Sequence, residues 1–565
     1  MATKYMSKDT IMFQPRSRQI GPLILSPAEE LLRGLFLACR EDIQKPRLEI
    51  WITGGWVRDR LLGTHSSDID IALSDMTGEH FSHCLTDFLR KNEALYRKRA
   101  AELNIPYHFS GFHTTKKNLG KSKRLETAVG SIFGLDIDLV NLRKEVYEGG
   151  SRTPDMEFGT AEEDAFRRDA TVNALFFNLD TRQIVDLTGK GLQDMTSCVI
   201  RTPLEPQRTF IDDPLRVLRL IRIGSKLGYK INARTKESMR DPRIHEALEA
   251  KVSRERIGIE VFKIMKQAKP HVAFHMIWET NLYTSVFLMP RFNPTLLSKL
   301  KDRLPAQNES QPWPNTWQLA YRTLDVLINH HASSLSRIIR SESAEDMWLM
   351  VAYSPIAGLR EQALEEVIAV AAEAVKTRNQ ASKLLGSSLR NLDSIRNIVH
   401  LTSNLENPPP RSAVGMAIRS WGSTWRSQVL YSFLAELVYN AASTPLMPLE
   451  GDVVFDGLLT KYDRFADFIL RSSLENADSF RPLLNGHAIM ELFGLRSGGA
   501  FIKGAIDGLL AWQLDHNEMN SDDAAVWLRS RKDEFGIPLA EPCASVSRRK
   551  RRRPACPDTL VPHSD

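Results

Sequence analysis

"GGWVRDRLLGTHSSDIDIAL", residues 54–73, decides how the first part of this chain folds. A glycine pair opens it, an Arg-Asp pair follows, and two aspartates two positions apart close it. Just upstream, "EIWITGG" (49–55) reads as a strand running into a glycine turn, and "SDIDIAL" (67–73) alternates polar and apolar as a half-buried strand does. Residues two apart on a strand share a face, so Asp68 and Asp70 project together. Two carboxylates side by side repel unless a cation lies between them, and Mg²⁺ is an ion that takes few carboxylates together with substrate phosphates. Gly54 and Gly55 let backbone N–H groups come close to a phosphate. Arg58, in the first turn of the helix that follows, is placed to meet the same triphosphate. Each part alone is commonplace: a bare D-x-D is usually a solvated strand, Arg58 a surface cation, Asp59 a helix-end charge. Together they describe a phosphate cradle facing a metal seat, the layout of phosphoryl transfer.

Further along, "LDIDLVNLR" (135–143) offers a third carboxylate, Asp136 or Asp138 on one strand face, with Asp138 preferred. In "RRDATVNALFFNL" (167–179), adjacent Arg167 and Arg168 point differently, so one serves the substrate while the other holds structure; Arg167 suits the structural role. Asp169 is expected to orient an arginine through paired hydrogen bonds, and Asn173 to bond backbone.

"DDPLRVLRLIR" (212–222) repeats charge every third residue: Asp213, Arg216, Arg219, Arg222. On a helix begun by a capping Asp and a first-turn Pro, such a row drifts by about 60° per step and winds as a charged stripe. Leu215, Leu218 and Ile221 fill the apolar sides. Three arginines in a stripe require anionic partners, either acidic side chains or phosphates. Asp213 beside Arg216 also matches a base edge. A carboxylate accepts from an exocyclic amine while a guanidinium donates to ring acceptors. Cytosine and adenine both present that pattern. Uracil and guanine place a carbonyl where the amine belongs, leaving groups unpaired at about 1–3 kcal/mol each. Such a pocket selects CTP and ATP over UTP and GTP.

The chain has 565 residues, long enough for two to four domains. Its formal charge of +6 comes from one place: "RRKRRR" at 548–553 holds six of the 75 Lys and Arg residues, and the remaining 69 equal the 69 Asp and Glu residues. Net charge therefore does not announce a nucleic-acid binder, and any RNA surface is a local patch. Five scattered cysteines without paired spacing argue against a zinc site or disulfide framework. No run of eighteen apolar residues occurs, so no membrane span is expected. Lys4, Lys8, Arg16 and Arg18 against Asp9 give a weak mitochondrial address, and the basic tail favours nuclear import. "SPAEELLRGLFLACRED" (26–42) reads as a helix with Ser26 as N-cap and Glu29 completing a capping box. "GFHTTKKNLGKSKRLETA" (111–128) reads as a mobile loop. From about residue 205 the pattern is helical, including "SRERIGIEVFKIMKQA" (253–268) capped by Ser253, with breaks at 307–315, 404–413 and 495–501. The segment after about 537 has a disordered composition.

The spaced motifs "GGWVRDRLLG…SDIDIAL", "FRRDATVNALFFNL", "DDPLRVLRLIR" and "SRERIGIEVFKIM" resemble class II tRNA nucleotidyltransferases, the CCA-adding enzymes, over about residues 50–266. "PLLNGHAIMELFGL…LLAWQLD" resembles eukaryotic, fungal members. The resemblance implies an α+β fold: a small nucleotidyltransferase head with a mixed β-sheet and helices, then an all-α neck, body and tail. The expected limits are a leader and helix at 1–45, head 46–204, neck 205–270, tRNA-binding body and tail 271–536, and basic tail 537–565. It implies Asp68 and Asp70 as catalytic Mg²⁺ ligands, with Gly55, Arg58, Arg168, Arg219 and Arg222 around the nucleotide and Asp213 with Arg216 reading the base. It makes the stretch near 111–125 the family's mobile loop. The expected partners are tRNA, CTP and ATP, with no membrane, and the expected state is a monomer in cytoplasm, nucleus or mitochondrion. Two departures stand out: Asp212 replaces the family's usual Glu, and Ile223-Gly224 replaces Phe-Ala. Poly(A) polymerase of the same superfamily, a CC-only or A-only enzyme, and a non-catalytic RNA-binding protein are the alternative readings.

Overall fold

The computed structural model of the chain describes residues 20–115, 127–146, 155–289, 294–304, 312–329, 333–440, 453–516 and 518–538. The chain divides into two compact units, one of Met1–Leu405 with Thr424–Phe468, the other of Glu406–Ser423 with Ile469–Asp565.

In the first unit, helix α1 (Pro27–Asp42) begins with the expected capping box: Ser26 Oγ accepts from the Glu29 N–H and Glu29 accepts from the Ser26 N–H. Buried Glu29 also accepts from Trp56 Nε1 at 3.1 Å and from Arg60, which fastens α1 to the short helix α2 (Gly55–Leu61). The first nine strands are β1 (Ile50–Thr53), β2 (Asp68–Leu73), β3 (Phe109–Thr115), β4 (Thr127–Ile132), β5 (Leu135–Asn141), β6 (Arg143–Val146), β7 (Asp155–Phe158), β8 (Leu175–Asn178) and β9 (Ile184–Asp186). Seven form one mixed sheet in the order β3-β4-β5-β2-β1-β8-β9. Only β2 and β5 run parallel within it; β6 and β7 pair separately.

The sheet has one closed and one open face. Ile69, Ile71, Ile137 and Leu139 are fully buried, and helix α3 (Gly78–Lys91) packs across β3, β4 and β5. Gly78 permits that approach, since a Cβ there would lie 2.0 Å from the Leu139 carbonyl oxygen. Helix α4 (Glu93–Glu102) follows; α5 (Ala161–Phe166) and α6 (Gly191–Thr196) flank β8 and β9 in sequence.

The stretch expected as a loop at 111–128 is not all loop. Gly111–Thr115 belongs to β3 and Thr127–Ala128 to β4, because Thr114 and Thr115 pair across to Ala128 and Thr127. Residues 116–126 lie outside the described residues, as do most of the leader and the basic tail.

Beyond the sheet the unit is helical: α7 (Pro206–Asp212), α8 (Arg216–Leu227), α9 (Ala233–Met239), α10 (Pro242–Lys251), α11 (Arg254–Met265) and a further series. Its core is aromatic, with Trp317 packed edge-on against Tyr283 at 4.7 Å and flanked by Phe274 and Phe287. The second unit has its own core around Ile489, Leu509 and Leu528, with Trp512 stacked on Trp527. Among the described residues no helix is long and apolar enough to cross a membrane.

Candidate active site

The parallel pairing of β2 with β5 sets Asp68 opposite Asp136 and Asp70 opposite Asp138. Alternation puts all four carboxylates on the open face. Burial pushes the Asp70 carboxyl up to about 6; Asp138 and Asp68 push the same way, against the opposing charges of Arg168 and Arg219. Asp70 is nevertheless exposed to solvent. Asp138 is thus the carboxylate brought beside Asp70, while Asp136 stands beside Asp68.

Gly54 turns the chain from β1 into α2 at φ +76°, a left-handed value that glycine tolerates. A Cβ on it would lie 3.1 Å from both Arg168 Nη1 and Asp70 Oδ2, so the turn, the arginine and the aspartate meet at one point. Arg58 lies below this turn and is buried: its guanidinium is held by Asp59 at 2.6 Å and by Asn173 Oδ1. It therefore does not stand free toward solvent. Asn173, expected to bond backbone, instead bridges side chains, accepting from Arg58 and donating to Asp169 at 3.0 Å.

Arg167 and Arg168 share one partner that sequence reasoning missed, Asp164 on α5. Burial opposes its ionisation, but the charges of Arg168 and Arg167 hold its carboxyl below the usual range. Arg167 also donates to the Arg143 carbonyl. Arg168 lies over the Phe176 ring at 5.0 Å and donates to the Asn173 carbonyl at 3.2 Å.

Asp169 pairs with Arg219, as an arginine-orienting carboxylate should; both Nε and Nη2 of Arg219 reach Oδ2, at 2.8 and 2.7 Å. Two arginines of the α8 stripe, Arg219 and Arg222, are held by acidic side chains. Arg222 bonds Glu260 of α11 at 2.6 Å, and Arg219 lies 3.8 Å from the same residue. Arg216 is buried at the start of α8, and its charge bears on Asp169. Helix α8 starts later than its sequence suggests. Asp213 and Pro214 precede it, Leu215 is the N-cap, and Asp213 Oδ1 accepts from the Leu215 N–H at 3.3 Å. Asp213 also faces Arg256 of α11 at 3.5 Å. Glu260 and Arg256, four residues apart on one helix, escaped sequence reasoning because nothing local marks a helix as another's partner.

The donor set suits a hard divalent cation: carboxylate oxygens side by side on adjacent strands and open to solvent. Among the described residues no group of three or more His, Cys, Asp or Glu encloses an ion by itself.

Carboxylates on an open sheet face beside a glycine turn and clustered arginines define a nucleotidyltransferase. Residues 50–201 match the poly A polymerase head domain, and 228–296 match the probable RNA and SrmB-binding site of polymerase A. The chain is 36% identical to nucleotidyltransferase lcsQ of Purpureocillium lilacinum, over 91% of this chain and 93% of that protein. It is 31% identical to tRNA nucleotidyltransferase cca2 of Schizosaccharomyces pombe, over 86% and 93%. It is 32% identical to the mitochondrial CCA tRNA nucleotidyltransferase of Candida glabrata, over 86% and 91%. A solved CCA-adding enzyme in complex with ATP shares the fold at a TM-score of 0.57 and 18% identity, covering 92% of this chain and 97% of that one. The chain belongs to the tRNA nucleotidyltransferase family of CCA-adding enzymes.

Proposed function

We propose that this enzyme adds C, C and A to the 3′ end of tRNA, taking CTP and ATP without a nucleic-acid template and releasing pyrophosphate. The observation that carries this reading is the meeting of Gly54, Arg168 and Asp70 at one point on the open face, with Asp68 and Asp138 alongside. Asp68 and Asp70 would hold Mg²⁺, which when bound neutralises phosphate charge and lowers the pKa of an attacking hydroxyl. Gly55 keeps the turn narrow enough for the triphosphate to approach, and Arg58 supports that turn from beneath. Arg168, Arg219 and Arg222 supply fixed positive charge toward the phosphates, oriented by Asp164, Asp169 and Glu260. Asp213 and Arg216 accept from and donate to the base edge, which favours cytosine and adenine. The helical regions hold tRNA by shape and phosphate contacts.

The test is direct. Purified protein is incubated with tRNA lacking CCA and each nucleotide with Mg²⁺, and the products are sequenced. Growth by CCA and then arrest is the expected result. Extended ATP-only tails would favour the poly(A) polymerase reading, and CC or A alone would assign a partial enzyme. Asp70→Ala is expected to lose at least about a thousandfold in incorporation rate, and unchanged CCA synthesis in that variant would remove the metal-site assignment. The protein is proposed to act as a monomer, which sedimentation tests. A mitochondrial pool, in keeping with the name of the Candida glabrata relative, and a nuclear pool directed by Arg548–Arg553 are tested by a fluorescent fusion with and without those residues.

A further inference from the structure

On the carboxylate side of the sheet one row of side chains runs in strict register: Phe176 (β8) and Thr53 (β1), both buried, then Asp70 (β2), Asp138 (β5), Val129 (β4) and His113 (β3). Its two ends differ in chemistry. At the Phe176 end Arg168 lies over the ring and beside Gly54. At the other end stand Val129, 42% exposed, and exposed His113, while Ala128 and Ile132 of the same strand are buried.

Phosphoryl transfer requires the attacking and leaving oxygens to lie roughly in line on opposite sides of the phosphorus. The leaving pyrophosphate carries most of the charge and belongs with the arginines, at the Phe176 end. The attacking hydroxyl must then arrive from the Asp138 side. Strands are spaced by about 5 Å, so Val129 lies about 5 Å and His113 about 10 Å beyond Asp138. That is the reach of one nucleoside from its 3′ oxygen to its base. A lone exposed valine is ordinary on any protein; this one continues the row of the carboxylates.

We propose that the open face of β4 and β3 seats the 3′-terminal nucleoside of the acceptor RNA, with its base against Val129 and the His113 imidazole. The inference rests on the nucleotidyl-transfer reading above. An imidazole is a sequence-tolerant stacking surface, and a valine beside it offers apolar contact without hydrogen-bond readout. They suit a primer whose terminal base changes as C, C and A are added, whereas the base choice for the incoming nucleotide proposed above falls to Asp213 and Arg216.

The test first establishes CCA addition by the wild-type protein. Its absence would sink the functional reading and the seat with it. The working enzyme is then given tRNA whose terminal nucleotide carries a photoreactive thio-base, and the cross-linked peptide is mapped. Adducts within Phe109–Thr115 or Thr127–Ile132 are expected; adducts confined to Arg216–Leu227 or to the helical body overturn the proposal. Independently, Val129→Ala with His113→Ala should lower kcat/KM for the acceptor about tenfold, the scale of one lost stacking contact, while KM for CTP stays within twofold. A change in KM for CTP alone, or no change in either, overturns it. The cross-link uses the unaltered chain, so it decides the matter even if the double variant folds poorly.

Discussion

Asp169 lies buried between Asn173 and Arg219. Burial alone would raise its pKa. The charge of Arg219, hydrogen bonds from Asn173 and Arg219, and the charge of Arg216 outweigh that and hold the carboxyl at about 2. An unfolded aspartate titrates near 3.9, so the folded state gains from the ionised form above about pH 4 and loses that gain as pH falls toward 2. Asp169→Asn should therefore destabilise the protein by about 2 kcal/mol at pH 7, with the difference shrinking as the pH approaches 2. Urea unfolding of both proteins at pH 7 and pH 3 checks the slope as well as the size. The sequence suggested that Asp169 orients an arginine, but not that the arginine lies 50 residues away. Pairing across such a distance leaves no local trace. Asp213 is a different case, since the role proposed for it comes from hydrogen-bond chemistry rather than from a partner. Asp213→Ala should keep nucleotidyl transfer and lose base choice, with UTP incorporation rising at least about tenfold relative to CTP. Single-nucleotide competition assays measure this, and unaltered rejection of UTP would refute the assignment.

Among the elements, β2 and β5 were readable because their aspartates alternate with Ile69, Ile71, Ile137 and Leu139, all buried on the closed face. What alternation could not reveal was that the two strands are parallel neighbours, which is what brings Asp138 beside Asp70. β3 and β4 were harder, because Gly, Lys and Thr mimic a loop until the partner strand is known. The late start of α8 has a local cause: Asp213 turns back onto the Leu215 N–H, so the helix opens at Arg216 rather than at Pro214. The closed face yields its own prediction. At Gly78 any side chain would meet the Leu139 carbonyl at 2.0 Å, and that carbonyl belongs to backbone which cannot swing aside. Gly78→Ala should cost about 2–3 kcal/mol through overpacking and, by shifting β5, should reduce CTP incorporation as well. Thermal unfolding and a rate assay on one preparation would show both losses together; a stable but inactive variant would mean that β5 moved without the helix detaching.

In the molecule as a whole, α11 joins α8 and the Asp213 turn before it to the helices that follow. One stretch of α11 carries Arg256 and Glu260, which face Asp213, Arg219 and Arg222. Its first residue, Arg254, is buried and donates to three backbone carbonyls, Ala374 at 2.7 Å, Ser285 at 3.0 Å and Val286 at 2.6 Å. Gly258, between them, leaves room for the Val375 carbonyl, which a Cβ would meet at 2.1 Å. Burial lowers the Arg254 pKa without neutralising a guanidinium, so the charge is retained and spent on neutral acceptors. The helix that holds Arg219 and Arg222 is thereby pinned to the segment carrying Ser285 and Val286, beside the aromatic core. Arg254→Met should leave three buried carbonyls short of donors and lower the unfolding midpoint by about 5 °C. Arg254→Lys should not restore it, because a single ammonium lacks the planar fork that reaches three oxygens. If the pinning matters to the site, KM for CTP should rise in both variants well below their unfolding temperatures, and a KM equal to wild type would show that α11 keeps its grip on α8 without its anchor in the body.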